Sequence, residues 1–346
     1  WASGPTGMKY RYWAVRWAGT LDERGGATVI TYCKMVKGTM QRVVGPEWGC
    51  WADVVAPSDG ERRILLEEMG IVPEFLRSAL DEEESAHIDI DEDAHQRMVI
   101  VDCPVVDDGT QPDDPETVQY KTQPLAVIFL QDKGMAVSIG LHPNPMVASV
   151  VGEGKHPDGE GGLTRLFLQV LLKAAQLYPG YLNGIVRQYV RTDGRLRRSM
   201  SNAELINLLD IQKSLVYFST SLGSEKPVLD RLASGKVVEL DDEDREVLND
   251  VVVEIAQATE MCRIYTDIVA NTMGAYGNVI SNNLNSVMKA LAIITVIMTI
   301  PNIVFGFYGM NTAWLPLSSS WAYPLAIATV ACAATLFVCI KAKVFK

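Results

Sequence analysis

From Ala290 through Ile340 the chain contains no Asp, Glu, Lys, Arg or His. Few environments tolerate so long a charge-free window, so it constrains the fold more than any other feature. It holds two apolar stretches, residues 290–308 and 321–340. Each is close to the roughly 20 residues that cross a bilayer as a helix. The link between them, residues 309–320, is short and polar, with Pro316 as a helix breaker. A pair of buried core helices is the rival reading, but core helices of this length normally carry a charge on one face. Two spans place both ends on one side of the membrane. Lys289 precedes the first span and Lys341, Lys343 and Lys346 follow the second. The positive-inside rule then makes both termini cytoplasmic and the link external.

The net charge of −11 lies outside this window, in the long N-terminal part less the short basic tail. An acidic surface repels phosphate, so no nucleic-acid partner is expected. A simple soluble enzyme does not fit the charge-free window, and 48% apolar residues exclude a disordered chain. Six cysteines without a C-x-x-C pair read as thiols in a reducing compartment rather than as a disulfide framework or zinc site. Gly152-Glu153-Gly154-Lys155-His156 departs from the phosphate-binding loop pattern, so no nucleotide is expected either. No nucleophile elbow or H-E-x-x-H occurs, and the chain is not expected to be an enzyme. His87, His95, His142 and His156 are scattered and read as surface residues. No charged n-region with an apolar run opens the chain, so no signal peptide is expected. Residues 1–7, ahead of Met8, are read as an expression remnant without functional weight.

The two spans differ. The second is rich in Ala, Ile, Val and Leu, with Trp321 and Tyr323 suited to an interface belt. The first continues a polar stripe: Asn278, Asn282 and Asn285, then Met288, Thr295, Thr299 and Asn302, at steps of three, four and seven. Polar residues on a spanning helix face protein or water. Helix–helix hydrogen bonding is one reading. A pore is the other, and since one helix cannot enclose a pore, it requires a symmetric ring of subunits.

At the outer end of the first span stands Tyr308-Gly309-Met310-Asn311, and its approach reads Ser281-Asn282-Asn283-Leu284-Asn285-Ser286-Val287-Met288-Lys289. This resembles the CorA family of magnesium channels, whose Gly-Met-Asn signature ends the first of two C-terminal spans. Weaker similarity extends to Ala79–Glu84, Pro124–Ile128 and Lys213–Phe218. The resemblance implies a homopentameric funnel in the inner or plasma membrane of a prokaryote, with Mg2+ both transported and regulatory. It implies an ion-selecting ring at Tyr308, Gly309, Met310 and Asn311. It further implies a pore lined by Asn285, Met288, Leu291, Ala292, Thr295, Thr299 and Asn302, with Met288 and Leu291 as an apolar gate. Family acidic residues bind magnesium between subunits and hold the channel closed. Asp250 matches the stalk position of that kind, and Asp81, Glu82, Glu83 and Glu84 lie near the partner site. Many members carry an acidic residue in the outer loop, whereas residues 312–320 have none. Cation attraction would then rest on Asn311, backbone carbonyls and the membrane potential. Transport of Co2+, Ni2+ or Zn2+ by the same architecture, or a non-conducting membrane-anchored sensor or scaffold, are the alternatives.

The expected fold is an α+β cytoplasmic domain followed by a long stalk helix and two transmembrane helices. Its divisions are residues 8–238 (regulatory domain with a helical layer), 239–289 (stalk), 290–308 (first span), 309–320 (external loop), 321–340 (second span) and 341–346 (basic tail). Strands are expected at Ala27–Val36, Gln96–Val101, Leu125–Leu130 and Met135–Ile139 from β-branched runs and alternation. Ser58 with Glu61 and Ser201 with Glu204 read as capping boxes before helices at Arg62–Met69 and Leu205–Leu222. A helix over Leu163–Val190 is expected to break near Pro179-Gly180. From Asp241 to Tyr308 the only proline is Pro301, so one helix on the order of 100 Å is expected at 1.5 Å per residue. The acidic runs Asp81–Glu84 with Asp89, Asp91, Glu92 and Asp93, and Asp241–Asp244 with Asp250, read mostly as solvated faces or helix N-terminal charge.

Overall fold

The computed structural model describes residues 30–107, 118–152, 154–155, 162–199, 201–310 and 322–341. The chain divides into two compact units, Trp1–Val269 and Ala270–Lys346.

Among the described residues, the first unit is built on an eight-stranded sheet. Its strands are β1 (Ile30–Val36), β2 (Thr39–Val43), β3 (Cys50–Val55), β4 (His87–Asp91), β5 (Gln96–Val106), β6 (Tyr120–Leu130), β7 (Met135–Gly140) and β8 (Gly154–Lys155), in the order β4-β5-β6-β7-β3-β1-β2-β8. Every pairing is antiparallel except β3 with β7. The longest ladder runs from Gln96 opposite Leu130 to Val106 opposite Tyr120. Strand alternation sends Met98, Ile100, Ala126, Ile128, Val137 and Ile139 to one face. There they meet Leu65, Met69, Phe75, Leu76 and Ala79. Leu65 lies in the π turn Ile64–Glu68 that continues α1 (Asp59–Arg63), Met69 closes that turn, and Phe75, Leu76 and Ala79 belong to α2 (Pro73–Ala79). The Ser58 capping box forms in full: Glu61 N–H donates to Ser58 Oγ at 3.4 Å and Ser58 N–H donates to Glu61 Oε2 at 2.9 Å.

The opposite face is covered by a helical layer. A short α3 (Pro145–Val151) precedes α4 (Leu163–Leu196) and α5 (Asn202–Ala233). Phe167 of α4 stands edge-on to Phe129 of β6 at 5.5 Å, and Tyr178 meets Phe218 of α5 in the same way at 5.2 Å. Helices thus flank both faces of the sheet, where the sequence indicated a single layer. α4 also runs unbroken through Pro179. The fully buried Tyr178 and Leu182 on either side anchor the segment, and their packing outweighs the roughly 3 kcal/mol that an interior proline costs. At Ser201 the reciprocal box does not form. Ser201 Oγ accepts from Ala203 N–H at 3.2 Å, while Glu204 turns to Arg195 at 2.9 Å.

α6 (Asp242–Tyr308) is one helix, as its sequence predicts, with Pro301 inside it. Within the first unit its Leu248, Val251, Ile255, Ala258 and Cys262 are buried, and the Cys262 thiol donates to the Leu215 carbonyl at 3.3 Å. The second unit comprises the remainder of α6 and α7 (Ala322–Lys341).

Candidate functional site

The apolar end of α6 is where the sequence placed the function. An 18-residue stretch there reaches a mean hydropathy of 2.2, yet only 6% of it is buried. So apolar a surface, bare in the single chain, belongs in lipid or against other copies. α7 touches one side of it. The Cys332 thiol donates to the Ile297 carbonyl at 3.6 Å, and Ile293 and Ala328 are buried. Ile297, Ile300 and Val304 share the face of Ile293 and are half-buried. At about 100° per residue, Thr295, Thr299 and Asn302 fall on roughly the opposite face. Asn285, Met288, Leu291, Ala292, Thr295, Thr299 and Asn302 are all exposed. The polar stripe therefore lies on the side of the helix that α7 leaves bare.

The hydroxyls have a definite polarity. Thr295 Oγ1 donates to the Leu291 carbonyl at 2.8 Å and Thr299 Oγ1 donates to the Thr295 carbonyl at 2.7 Å. Upstream, on the Ile293 side of the helix and off the stripe, Ser286 Oγ donates to the Asn282 carbonyl at 3.0 Å. Each hydroxyl hydrogen is engaged within the helix, so each oxygen presents lone pairs outward. A face of neutral acceptors suits a hydrated cation, whose waters point their hydrogens away from the metal.

At the end of α6, Gly309 N–H donates to the Phe305 carbonyl at 2.8 Å and Met310 N–H to the Phe307 carbonyl at 3.3 Å. A Cβ on Gly309 would sit 3.0 Å from that same Phe305 oxygen, so glycine fits the close of the helix best. Tyr308 is half-buried, against Phe307 at 5.8 Å, and Met310 is exposed. Residues 311–321, with Asn311 and Trp321, and the basic tail beyond Lys341 lie outside the described residues.

The acidic residues separate into different settings. Asp81, Glu82 and Glu83 are exposed in the turn after α2, and Glu84 is half-buried. His87 stands 3.7 Å from Glu84, and His142 stands 3.7 Å from Glu82. Asp89 and Asp91 belong to β4 rather than to that turn. Asp250 is exposed on α6. Among the described residues no three His, Cys, Asp or Glu side chains converge within one chain to hold a metal.

At the start of α6 sequence reasoning missed the controlling residue. Arg165 on α4, only 10% exposed at its side chain, holds three carboxylates: the buried Asp244 through Nε, Glu243 at 2.9 Å and Asp241 at 3.1 Å. The Asp244 contact comes first in keeping the Arg165 guanidinium charged. Asp241 also caps the helix, its Oδ1 accepting from Asp244 N–H at 2.7 Å. That acidic run is thus a salt-bridged helix start. The signal available in the sequence was a lone basic residue, Arg165, inside the apolar Leu163–Leu171 run.

An α+β unit, a 67-residue helix ending in an uncovered apolar stretch with one polar face, and a second apolar helix mark a chain suited to a membrane. The chain belongs to the CorA-like Mg2+ transporter family, whose model matches residues 47–341. It is similar to the cobalt/magnesium transport protein CorA of Methanocaldococcus jannaschii, with 26% identity over 275 residues, covering 78% of this chain and 82% of that one. Its fold is similar to the complete structure of the CorA magnesium transporter from the same organism, with TM-score 0.71 and 20% identity, covering 90% and 97% of the two chains. The full-length CmaX protein is similar in fold at TM-score 0.68 and 17% identity, covering 91% and 98%.

Proposed function

We propose that the chain is one subunit of a passive, Mg2+-selective channel, a homopentamer closed by cytoplasmic Mg2+. The observation that carries this reading is the acceptor stripe on the face of α6 opposite α7. A lipid-facing anchor has no use for it, whereas a ring of such faces makes a wet, neutral path. Residues 290–308 and 321–340 form the two spans, and the number five comes from the family resemblance. Mg2+ parts with water reluctantly. A path of Asn285, Thr295, Thr299 and Asn302 oxygens, with Asn311 at the mouth, passes the ion with its waters by accepting hydrogen bonds from them. Neutral oxygens bind weakly enough for release, and Met288 and Leu291 interrupt the path with an apolar ring that closes by dewetting. The membrane potential drives entry with about 2.3 kcal/mol per charge per 100 mV, doubled for a divalent ion. Lys289 and Lys341 set both ends on the cytoplasmic side of a prokaryotic inner or plasma membrane.

Regulation falls to exposed carboxylates. Asp250 of one subunit and the Asp81–Glu84 turn of its neighbour face each other and share Mg2+. Loss of the ion restores their repulsion and splays the subunits. Hard carboxylate oxygens suit Mg2+, and the gathering of ligands from two copies accords with their exposure in one. Co2+ is the second permeant candidate, favoured because hydrogen bonds to the waters of an ion do not distinguish metals with similar hydration shells. The test is influx into liposomes holding the purified protein, read by an internal Mg2+ dye and repeated with Co2+, with Asn311→Ala alongside. Influx that Asn311→Ala abolishes supports the channel. No influx of either ion from folded oligomer at low internal Mg2+ refutes it and favours a scaffold.

A further inference from the structure

Two carboxyl groups are buried together at β5, just past the end of its pairing with β4. The β4 pairing stops at Ile100, so among the described residues no strand lies beside that edge of β5 at Asp102. Pro124, the residue opposite on β6, has no N–H to give. Helical side chains complete the edge instead. Tyr178 Oη donates to the Asp102 carbonyl at 3.1 Å, and the Asp102 N–H donates to the Glu225 carboxylate. Asp102 Oδ2 lies 3.4 Å from Ser224 Oγ, and Ser221 Oγ lies 2.7 Å from Tyr178 Oη. Asp102 is 7% exposed and Glu225 6%.

The facing groups offer no positive charge. β5 contributes Asp102 and Cys103, α4 contributes Tyr178, α5 contributes Ser221 and Ser224 beside Glu225, and α6 presents Val251 and Ile255. Among the described residues no basic side chain pairs with either carboxyl. Glu225 also borders a cavity of about 10 Å3 whose other walls include Val101, Leu171, Val228, Val251 and Ile255. A water is held by two or more polar partners, and Glu225 is the one polar residue among the described walls. An ionised Glu225 would lack both counter-ion and solvent, beside a second carboxylate.

We propose that Asp102 and Glu225 form a buried proton-binding site, occupied at neutral pH with Glu225 as the main holder, whose emptying loosens the seat of α6. Burial and the Asp102 charge both push Glu225 well above the ordinary carboxyl range, and burial raises Asp102 as well. The same environment pushes the Cys103 thiol up to about 12 and raises Tyr178, so neither competes as a source of negative charge near neutrality. When the proton leaves, the carboxylate draws water into the cavity. The walls that must yield include Val251 and Ile255.

The test uses the full chain in detergent and two readouts that do not depend on transport. Infrared spectra should show a protonated-carboxyl stretch at neutral pH that disappears in alkali and is missing from Glu225→Gln. Asp102→Asn, which removes the neighbouring charge, should keep the band and move its loss to lower pH. Hydrogen exchange at the Val251–Ile255 amides, corrected for intrinsic rate, should reveal opening that rises about tenfold per pH unit as the proton is lost, the slope of one proton. In Glu225→Gln that slope should vanish. Identical carboxyl bands in the parent and Glu225→Gln would overturn the proposal. Should Glu225→Gln not fold, a band in Asp102→Asn that titrates where the parent's does overturns it equally. Exchange that follows the same pH course in parent and Glu225→Gln would remove the link to α6.

Discussion

Replacing Arg165 with Met tests how the start of α6 is held. Met keeps the bulk and apolar stem of the side chain and removes its charge. Three carboxylates lose their partner, but they are not equal. Asp241 and Glu243 are well exposed, so water screens them and their loss costs little. Asp244, 9% exposed at its side chain, is left as a buried, unpaired anion. Removing one member of a buried pair costs about 3–5 kcal/mol, most of it the stranded charge. The first turns of α6 should therefore open more readily by roughly two to three orders of magnitude, at about 1.4 kcal/mol per tenfold. Hydrogen exchange over Arg245–Asp250 in the full chain reads this directly. Arg165→Lys should fall between, since an ammonium cannot span three carboxylates as the guanidinium fork does. The second half of the cycle is decisive. Adding Asp244→Asn to Arg165→Met removes the stranded charge and should recover most of the protection. Protection in Arg165→Met equal to the parent, or no recovery in the double variant, refutes the reasoning.

Two further outcomes follow from named contacts and a third from the proposed regulation. Asp53 accepts from Ser138 Oγ at 2.7 Å, Ser138 accepts from Trp51 Nε1 at 2.8 Å, and burial pushes the Asp53 carboxyl up to about 6. The native state then binds this proton more tightly than the unfolded chain, so stability falls as pH rises from about 4 to 6 and stays lowered above. Asp53→Asn should match the parent near pH 4 and exceed it at pH 7 by about 2–3 kcal/mol, and equal melting curves at pH 7 would contradict this. Gly184 lies inside α4, where alanine normally gains about 1 kcal/mol. A Cβ there would meet the Tyr120 hydroxyl at 2.5 Å, so Gly184→Ala should lower the melting temperature, and Tyr120→Phe should restore part of it. Asp250→Ala should shift inhibition of influx to higher internal Mg2+ by several-fold, and an unmoved inhibition curve would remove Asp250 from regulation.

The uncovered apolar end of α6 and its polar face were legible because lipid imposes its own grammar. A span must exclude charge and keep its polar atoms on one stripe, and both marks are written locally between Asn278 and Ile340. The uninterrupted α6 was legible for the same reason, through the scarcity of proline. β6 and β7 showed as apolar runs, since both faces of the sheet are covered. β3 did not, because Asp53 interrupts Cys50–Val55 and its partner Ser138 lies 85 residues away. β4 reads His-Ile-Asp-Ile-Asp, so its alternation was lost within an acidic segment. Proline at position 179 signals a break only until tertiary packing outweighs it. The two buried charge systems, Arg165 with Asp244 and Glu225 with Asp102, join residues 79 and 123 positions apart (244 − 165; 225 − 102). No local pattern announces such pairs, since their chemistry exists only once the helices pack.

On the proposed function, subunits of this chain form a passive pore selective for Mg2+. The most direct measurement is current across a planar bilayer containing the purified oligomer, with Mg2+ as the inorganic cation on both sides at unequal concentration. A passive pore carries current without ATP or a counter-ion, reversing at the Mg2+ equilibrium potential and shifting by about 30 mV for each tenfold change in gradient, the value for two charges. No current under any gradient, or a reversal potential that ignores Mg2+, would contradict it.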